Sequence, residues 1–220
     1  MTLGRLLMLL FGIVGGLIAV GLLFGGAAVL WVGTGLPDSE GYINTETLTL
    51  ESDTYAIITE PAEIELPSFW KFNYAPLATL RVACENMDPS RGVFIGIASA
   101  ADVTAYLGDA AYDEIIDFSL HPYTLDFRRH AGTATLTAPT EETFWTASVF
   151  GTGAQSLTWD VDPGRYALVL MNADASTDLD LETRVGARVP LLRGVGIGLV
   201  TGGVIVLFIA SLLIYLATRK

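Results

Sequence analysis

The chain has 220 residues, 51% of them hydrophobic and only 16% charged, with a mean hydropathy of +0.50, too apolar for an ordinary water-soluble domain. Its 12 basic and 24 acidic residues leave a formal charge of −12, which argues against a nucleic-acid partner and offers no basic face to anionic lipid. One cysteine, Cys84, excludes an intrachain disulfide, and with two histidines no structural Cys/His zinc cluster can be assembled.

Residues 6–32 form an uncharged run of 27 residues, longer as a helix than the ~30 Å hydrocarbon core of a bilayer. This predicts a first transmembrane helix. A signal peptide ending near Gly26-Ala27-Ala28 is the competing reading, but its apolar stretch is usually only ~7–15 residues long. A second uncharged run, 194–218, predicts a second crossing over 191–217, and Trp31 and Tyr215 fall near span ends, where amphipathic rings favour the interface. Two crossings put the tails, residues 1–5 and 218–220, on one side. Arg5, Arg219 and Lys220 on the tails are balanced by Arg184, Arg188 and Arg193 beside the second span. Tail length breaks the tie, because short tails hold their charge at the membrane while a long acidic domain is translocated largely regardless of its own. The expectation is a cell-membrane protein with cytoplasmic tails and an extracytoplasmic centre.

All 24 acidic residues lie between Asp38 and Glu182, and the segment 34–189 carries a net charge of −16. Only Lys71 and Lys220 are lysines. An acidic, lysine-poor surface suits concentrated salt, where clustered carboxylates are screened. A halophilic source is one expectation and an acidic extracytoplasmic domain from an ordinary habitat the other; a domain that gains no stability toward molar salt would discard the first.

Period-two alternation recurs through the centre, the pattern of strands with one buried and one wet face. Strands are expected over Glu46 to Leu50, Thr54 to Thr59, Leu77 to Cys84, Val93 to Ile97, Tyr123 to Phe127, Phe144 to Phe150, Leu157 to Val161 and Leu179 to Val185. Tyr166 to Met171 is apolar on both sides, as a central strand would be. Asp162-Pro163-Gly164 has the chemistry of a hairpin turn between two of them. Ser99-Ala100-Ala101-Asp102 reads as a capped helix start and Gly108 as its stop, giving one short helix over an end of the sheets. Nine or ten strands around Trp70, Phe94, Trp145 and Trp159 predict a mainly β fold: a β-sandwich ectodomain, jelly-roll or immunoglobulin-like, flanked by two transmembrane α-helices.

Site signals are sparse. Asn172, Asp174, Asp178 and Asp180 space oxygen ligands at alternate positions like the start of a calcium loop, but Thr177 and Thr183 stand where such a loop needs Gly and Glu. Arg128-Arg129-His130 is the one basic cluster of the domain, able to contact an anion or a partner or simply to pair with nearby acids. Asp113, Glu114 and Asp117 are neighbouring carboxylates in an acid-rich chain, and Cys84 alternates with Leu80 and Val82 as a buried residue would. No GxSxG, HExxH or GxxxxGK[ST] motif is present. In the spans, Gly12 with Gly16, Gly21 with Gly25, and Gly194, Gly198 and Gly202 recur every four residues, a spacing that supports close helix packing, within the chain in preference to between copies.

The segments GYINTETLTLESDTYAI (41–57), VFIGIASAADVTAYL (93–107) and FWTASVFGTGAQSLTWDVDPGRYALVLMNADAS (144–176), with the closing apolar run, resemble a group of uncharacterised two-span membrane proteins of actinobacteria and archaea. The resemblance implies an extracytoplasmic β-rich domain and brings no catalytic residue. This chain has Asp174-Ala175-Ser176 where the group carries an Asp-Gly-Ser turn.

The function expected is a noncatalytic membrane-anchored interaction or structural protein, needing no cofactor. Its partners would be the bilayer and a membrane or envelope protein, or a second copy met through the glycine faces. The alternatives are a ligand-binding or sensor subunit of a larger membrane complex and, third, a membrane-tethered hydrolase.

Overall fold

A computed structural model describes residues 3–65, 76–120 and 123–219. Two compact units emerge: Met1–Ile43 with Arg188–Lys220, and Asn44–Ala187.

The first unit is a pair of long helices, α1 (Leu3–Gly35) and α3 (Leu191–Thr218). At ~1.5 Å per residue, their 33 and 28 residues exceed the thickness of a hydrocarbon core. The chain next to them is anchored locally: Asp38 accepts the backbone N–H groups of Glu40 and Tyr42, both at 2.9 Å. The Arg188 guanidinium lies 5.1 Å from the centre of the Tyr42 ring.

Among the described residues, twelve strands build the second unit: β1 (Ile43–Asn44), β2 (Leu48–Ser52), β3 (Ala56–Thr59), β4 (Ala62–Ile64), β5 (Thr79–Asn86), β6 (Gly92–Ser99), β7 (Tyr112–Leu120), β8 (Tyr123–His130), β9 (Ala147–Thr152), β10 (Gln155–Asp160), β11 (Gly164–Asn172) and β12 (Leu179–Arg188). One sheet runs β1-β12-β5-β10 with β2 also on β12; the other runs β8-β7-β3-β11-β6-β9 with β4 also on β11. Most of the expected strands are present, displaced by a few residues. In β12, Leu179, Leu181 and Thr183 are buried while Asp180, Glu182 and Arg184 are exposed. β11 occupies the central place its two-sided apolarity predicts, between β3 and β6.

Three expectations change. Asp162-Pro163-Gly164 does not close a hairpin: β10 pairs with β5 in one sheet, while β11 pairs with β3 and β6 in the other, so the turn carries the chain between sheets. β7 was hidden from the alternation because its register slips between Ile115 and Asp117, a bulge that breaks the period-two pattern. It lies parallel to β3 and antiparallel to β8.

The third change concerns the core, which has two parts. Side chains from both sheets share an inner cluster that includes Leu50, Ile57, Val82, Ile95, Leu157, Trp159, Leu170 and Leu181. A second cluster, with Phe94, Ala98, Val169 and Met171, is covered by α2 (Ala100–Leu107) through Val103 and Leu107 and by Phe144 and Trp145. α2 therefore lies over a sheet face and not over an end. Its boundaries follow the expected caps: Ser99 Oγ accepts the Asp102 N–H at 3.1 Å and donates to its carboxylate at 2.7 Å, and Gly108 takes φ +51°. Of the four aromatic residues expected in the core, Phe94 and Trp145 belong to the outer cluster and Trp159 to the inner one, while Trp70 lies outside the described residues.

Candidate functional site

The two long helices meet through small residues. Buried positions on α1 are Gly12, Ala19 and Gly26, and on α3 Gly196, Gly203, Ala210 and Ala217, each set spaced by seven. A seven-residue repeat returns to the same side every second turn, and small groups there let two backbones approach closely. The approach is antiparallel: a Cβ added to Gly12 would lie 2.6 Å from Ile214, one on Gly26 2.8 Å from Val200, and one on Gly33 3.2 Å from Leu192. From the other side, a Cβ on Gly203 would meet Leu23 at 2.9 Å.

Of the glycines expected to pack, only Gly12 lies in this seam. Gly16, Gly21, Gly25, Gly194, Gly198 and Gly202 have nothing within 4 Å of an added Cβ. Gly25 and Gly202 illustrate why, since each is one residue, or about 100° of helix rotation, away from Gly26 or Gly203. The large side chains point outward, with Leu17 71%, Phe24 75% and Phe208 71% exposed.

Arg128 and Arg129 sit on β8 opposite Glu114 and Asp113 of β7. Arg129 grips Asp113 with Nε and one terminal nitrogen, both at 2.9 Å, and that terminal nitrogen is also 2.6 Å from Asp53. Ser52 Oγ donates to the same Asp113 carboxylate at 2.6 Å, which ties β2 of one sheet to β7 of the other. Arg128 and His130 both reach Glu114, at 3.3 and 2.9 Å, and His130 stacks on Tyr112 with ring centres 4.3 Å apart.

Both arginines are thus engaged by carboxylates of their own domain. Arg129 borders an open depression of about 520 Å³ whose rim adds Glu51, Asp53, Asp178 and Asp180, so the local field disfavours an anion. Asp113 and Glu114 are consecutive on a strand and each has its own basic partner, so they do not form an acid/base pair.

The hydrogen bonds from Arg129, assisted by Ser52, hold the Asp113 carboxyl below its ordinary pKa. A depressed pKa contributes stability above the ordinary carboxylate range and loses it as pH falls through the folded value. Asp113→Asn is expected to destabilise the chain by about 2 kcal/mol at neutral pH. It should also flatten the acid limb of stability, as read by urea unfolding at neutral and acid pH. An unchanged acid limb would remove Asp113 from this role.

Of the four calcium candidates, Asn172 and Asp174 are engaged within their own turn. Asn172 is fully buried; its amide accepts from Asn86 at 2.8 Å and donates to the carbonyls of Ser176 and Thr177, both at 3.1 Å. Arg91 donates to the Thr177 and Asp178 carbonyls at 3.0 and 2.9 Å. Asp174 accepts the Ser176 hydroxyl and N–H at 2.6 and 3.0 Å, which holds its pKa down, and Asp180 lies on the exposed side of β12. Among the described residues, no group of three or more His, Cys, Asp or Glu side chains is placed to hold a metal ion. Ala175 takes φ +57°, a conformation that favours glycine, with its methyl buried against the outer cluster.

Cys84 is part of the inner core, where burial pushes its thiol up to about 11 and the Thr183 hydroxyl donates to Sγ at 3.2 Å. Such a thiol is a poor nucleophile at neutral pH. In comparisons with known proteins, the chain matches no family model and no curated protein.

Proposed function

We propose that this chain is a noncatalytic membrane-anchored interaction or structural protein. In this reading α1 and α3 cross the cell membrane as an antiparallel pair. The intervening domain stands outside as a β-sandwich and meets an envelope component or membrane partner. The parallel β3–β7 pair marks a departure from a purely antiparallel jelly-roll or immunoglobulin arrangement.

One observation carries the membrane reading. In the helix pair every buried position is a glycine or an alanine, while large side chains such as Leu17, Phe24 and Phe208 face outward. In water this arrangement would leave a large apolar surface exposed, whereas in lipid large side chains are the natural exterior and small ones the natural seam. The full-length chain is expected to stay with membranes after alkaline carbonate washing and to leave them only in detergent. Release by carbonate would overturn the reading.

Partner recognition rests on what the domain presents, a strongly acidic exterior on which Arg128 and Arg129 are already paired with Glu114 and Asp113. Co-purification in mild detergent tests this part, with a stable protein partner as the expected result. A second reading, a ligand-binding subunit, is favoured by an apolar cavity in the domain.

A further inference from the structure

The domain Asn44–Ala187 contains a cavity of about 210 Å³ walled by Leu48, Leu50, Ile115, Leu125, Leu168 and Leu170. It lies between strands of both sheets, since β2 supplies the first two residues and β7, β8 and β11 the others. Three threonines also border it, and each hydroxyl is occupied elsewhere. Thr59 Oγ1 accepts the Leu168 N–H at 3.1 Å, Thr45 Oγ1 accepts the Val185 N–H at 3.1 Å, and Thr183 Oγ1 donates to Cys84 Sγ at 3.2 Å. Among the described residues, the surface left facing the cavity is entirely apolar.

The cavity is partly open to solvent, and its described wall offers no polar atom to an ordered water, which needs two to four polar partners. The cavity is larger than the roughly 150 Å³ apolar cavity that stays dry and admits benzene. Its chemistry therefore selects hydrocarbon against water and against polar metabolites. Covalent distance supplies the source. Val185, on the cavity wall, precedes the first residue of α3 by six positions, and Thr45 follows the last residue of α1 by ten. Even fully extended, these connections keep the two wall residues within roughly 20 and 35 Å of the helix ends.

We propose that this cavity is a lipid-binding site that takes a segment of a membrane lipid's acyl chain. It rests on the reading of α1 and α3 as membrane spans and adds to it a hydrocarbon ligand for the domain between them. The three threonines act as apolar wall residues, their hydroxyls turned into the framework and their methyl groups available to the chain.

The test uses the full-length chain in phosphatidylcholine vesicles doped with phosphatidylcholine that carries a diazirine near the end of one acyl chain. After irradiation, adducts are mapped by peptide mass spectrometry. Adducts are expected on outward residues of α1 and α3 and, separately, on the peptides containing Leu48, Leu125 and Leu168. Leu125→Trp, which fills the cavity, should lower the domain adducts about tenfold, corresponding to about 1.4 kcal/mol, and leave the helix adducts unchanged. Ile115→Phe serves the same purpose should the first variant fail to fold. Labelled helices with an unlabelled domain would overturn the lipid site alone. Domain adducts that persist in both filled variants would also overturn it. A chain labelled in neither part would overturn the spanning reading together with the site.

Discussion

Gly26→Leu is expected to separate the two helices, while Gly25→Leu, one residue away, leaves them paired. A Cβ at Gly26 would lie 2.8 Å from the Val200 backbone nitrogen and 2.9 Å from the Leu199 Cβ, so a main chain must move to admit it. Gly25 faces open space. Overpacking of this kind costs about 1–3 kcal/mol, and every 1.4 kcal/mol shifts the paired-to-unpaired ratio about tenfold.

The seam itself provides the readout. A Cβ on Gly15 would stand 3.4 Å from that of Ala210, close to the ~3.5–4.5 Å spanned by a disulfide. The double variant Gly15→Cys, Ala210→Cys should therefore oxidise to a crosslink in membranes, with Cys84 excluded by its burial. Adding Gly26→Leu should suppress the crosslink, and adding Gly25→Leu should not. Equal crosslinking in both triple variants would refute the seven-residue seam.

The second large effect is expected at the layer outside the seven-stranded sheet. Phe94 is 1% exposed and lies 4.9 Å, centroid to centroid, from Trp145, whose indole N–H donates to the Pro139 carbonyl at 2.9 Å. Tyr106 on α2 packs against the same indole at 5.8 Å. Gly96, two residues along β6, makes the room: a Cβ there would be 2.6 Å from the Phe94 ring and 2.7 Å from that of Trp145. Phe94→Ala removes the centre of this stack and is expected to destabilise the domain by about 3–5 kcal/mol. Chemical unfolding of the full chain in detergent, followed by tryptophan fluorescence, checks it. A loss below about 1 kcal/mol, the scale of a surface substitution, would mean that α2 and the segment around Trp145 are not a packed layer.

The parts of this architecture that rest on local chemistry were readable from sequence. Alternation placed β10 and β12, two-sided apolarity placed β11 at a sheet centre, and Ser99 with Gly108 bounded α2. Features set by distant partners were not. Asp162-Pro163-Gly164 has the same turn chemistry whether the next strand pairs back or enters another sheet, and that choice lies with β5 and β3. Ser52 and Asp113 are 61 positions apart, so their hydrogen bond had no local signature. Arg129 and Asp113 were both singled out, yet their pairing follows from the β7–β8 register, which the bulge after Ile115 obscures.

The glycines show a different limit. Four-residue and seven-residue spacings coexist in both helices, and only the inter-helix contacts distinguish Gly26 from Gly25 or Gly203 from Gly202. The apolar cavity was equally hidden, because three threonine hydroxyls are engaged by their neighbours in the folded domain.

The most direct measurement of the central claim is labelling of intact cells with a membrane-impermeant maleimide, using single cysteines at two exposed positions. Ala154→Cys lies between β9 and β10, and Thr218→Cys ends α3. Native Cys84 stays silent because it is buried and its thiol is held protonated. The expected result is labelling of Ala154→Cys in intact cells and of Thr218→Cys only after the membrane is opened. Equal labelling of the two positions before permeabilisation, or protection of Ala154→Cys, would contradict an anchored domain outside the membrane.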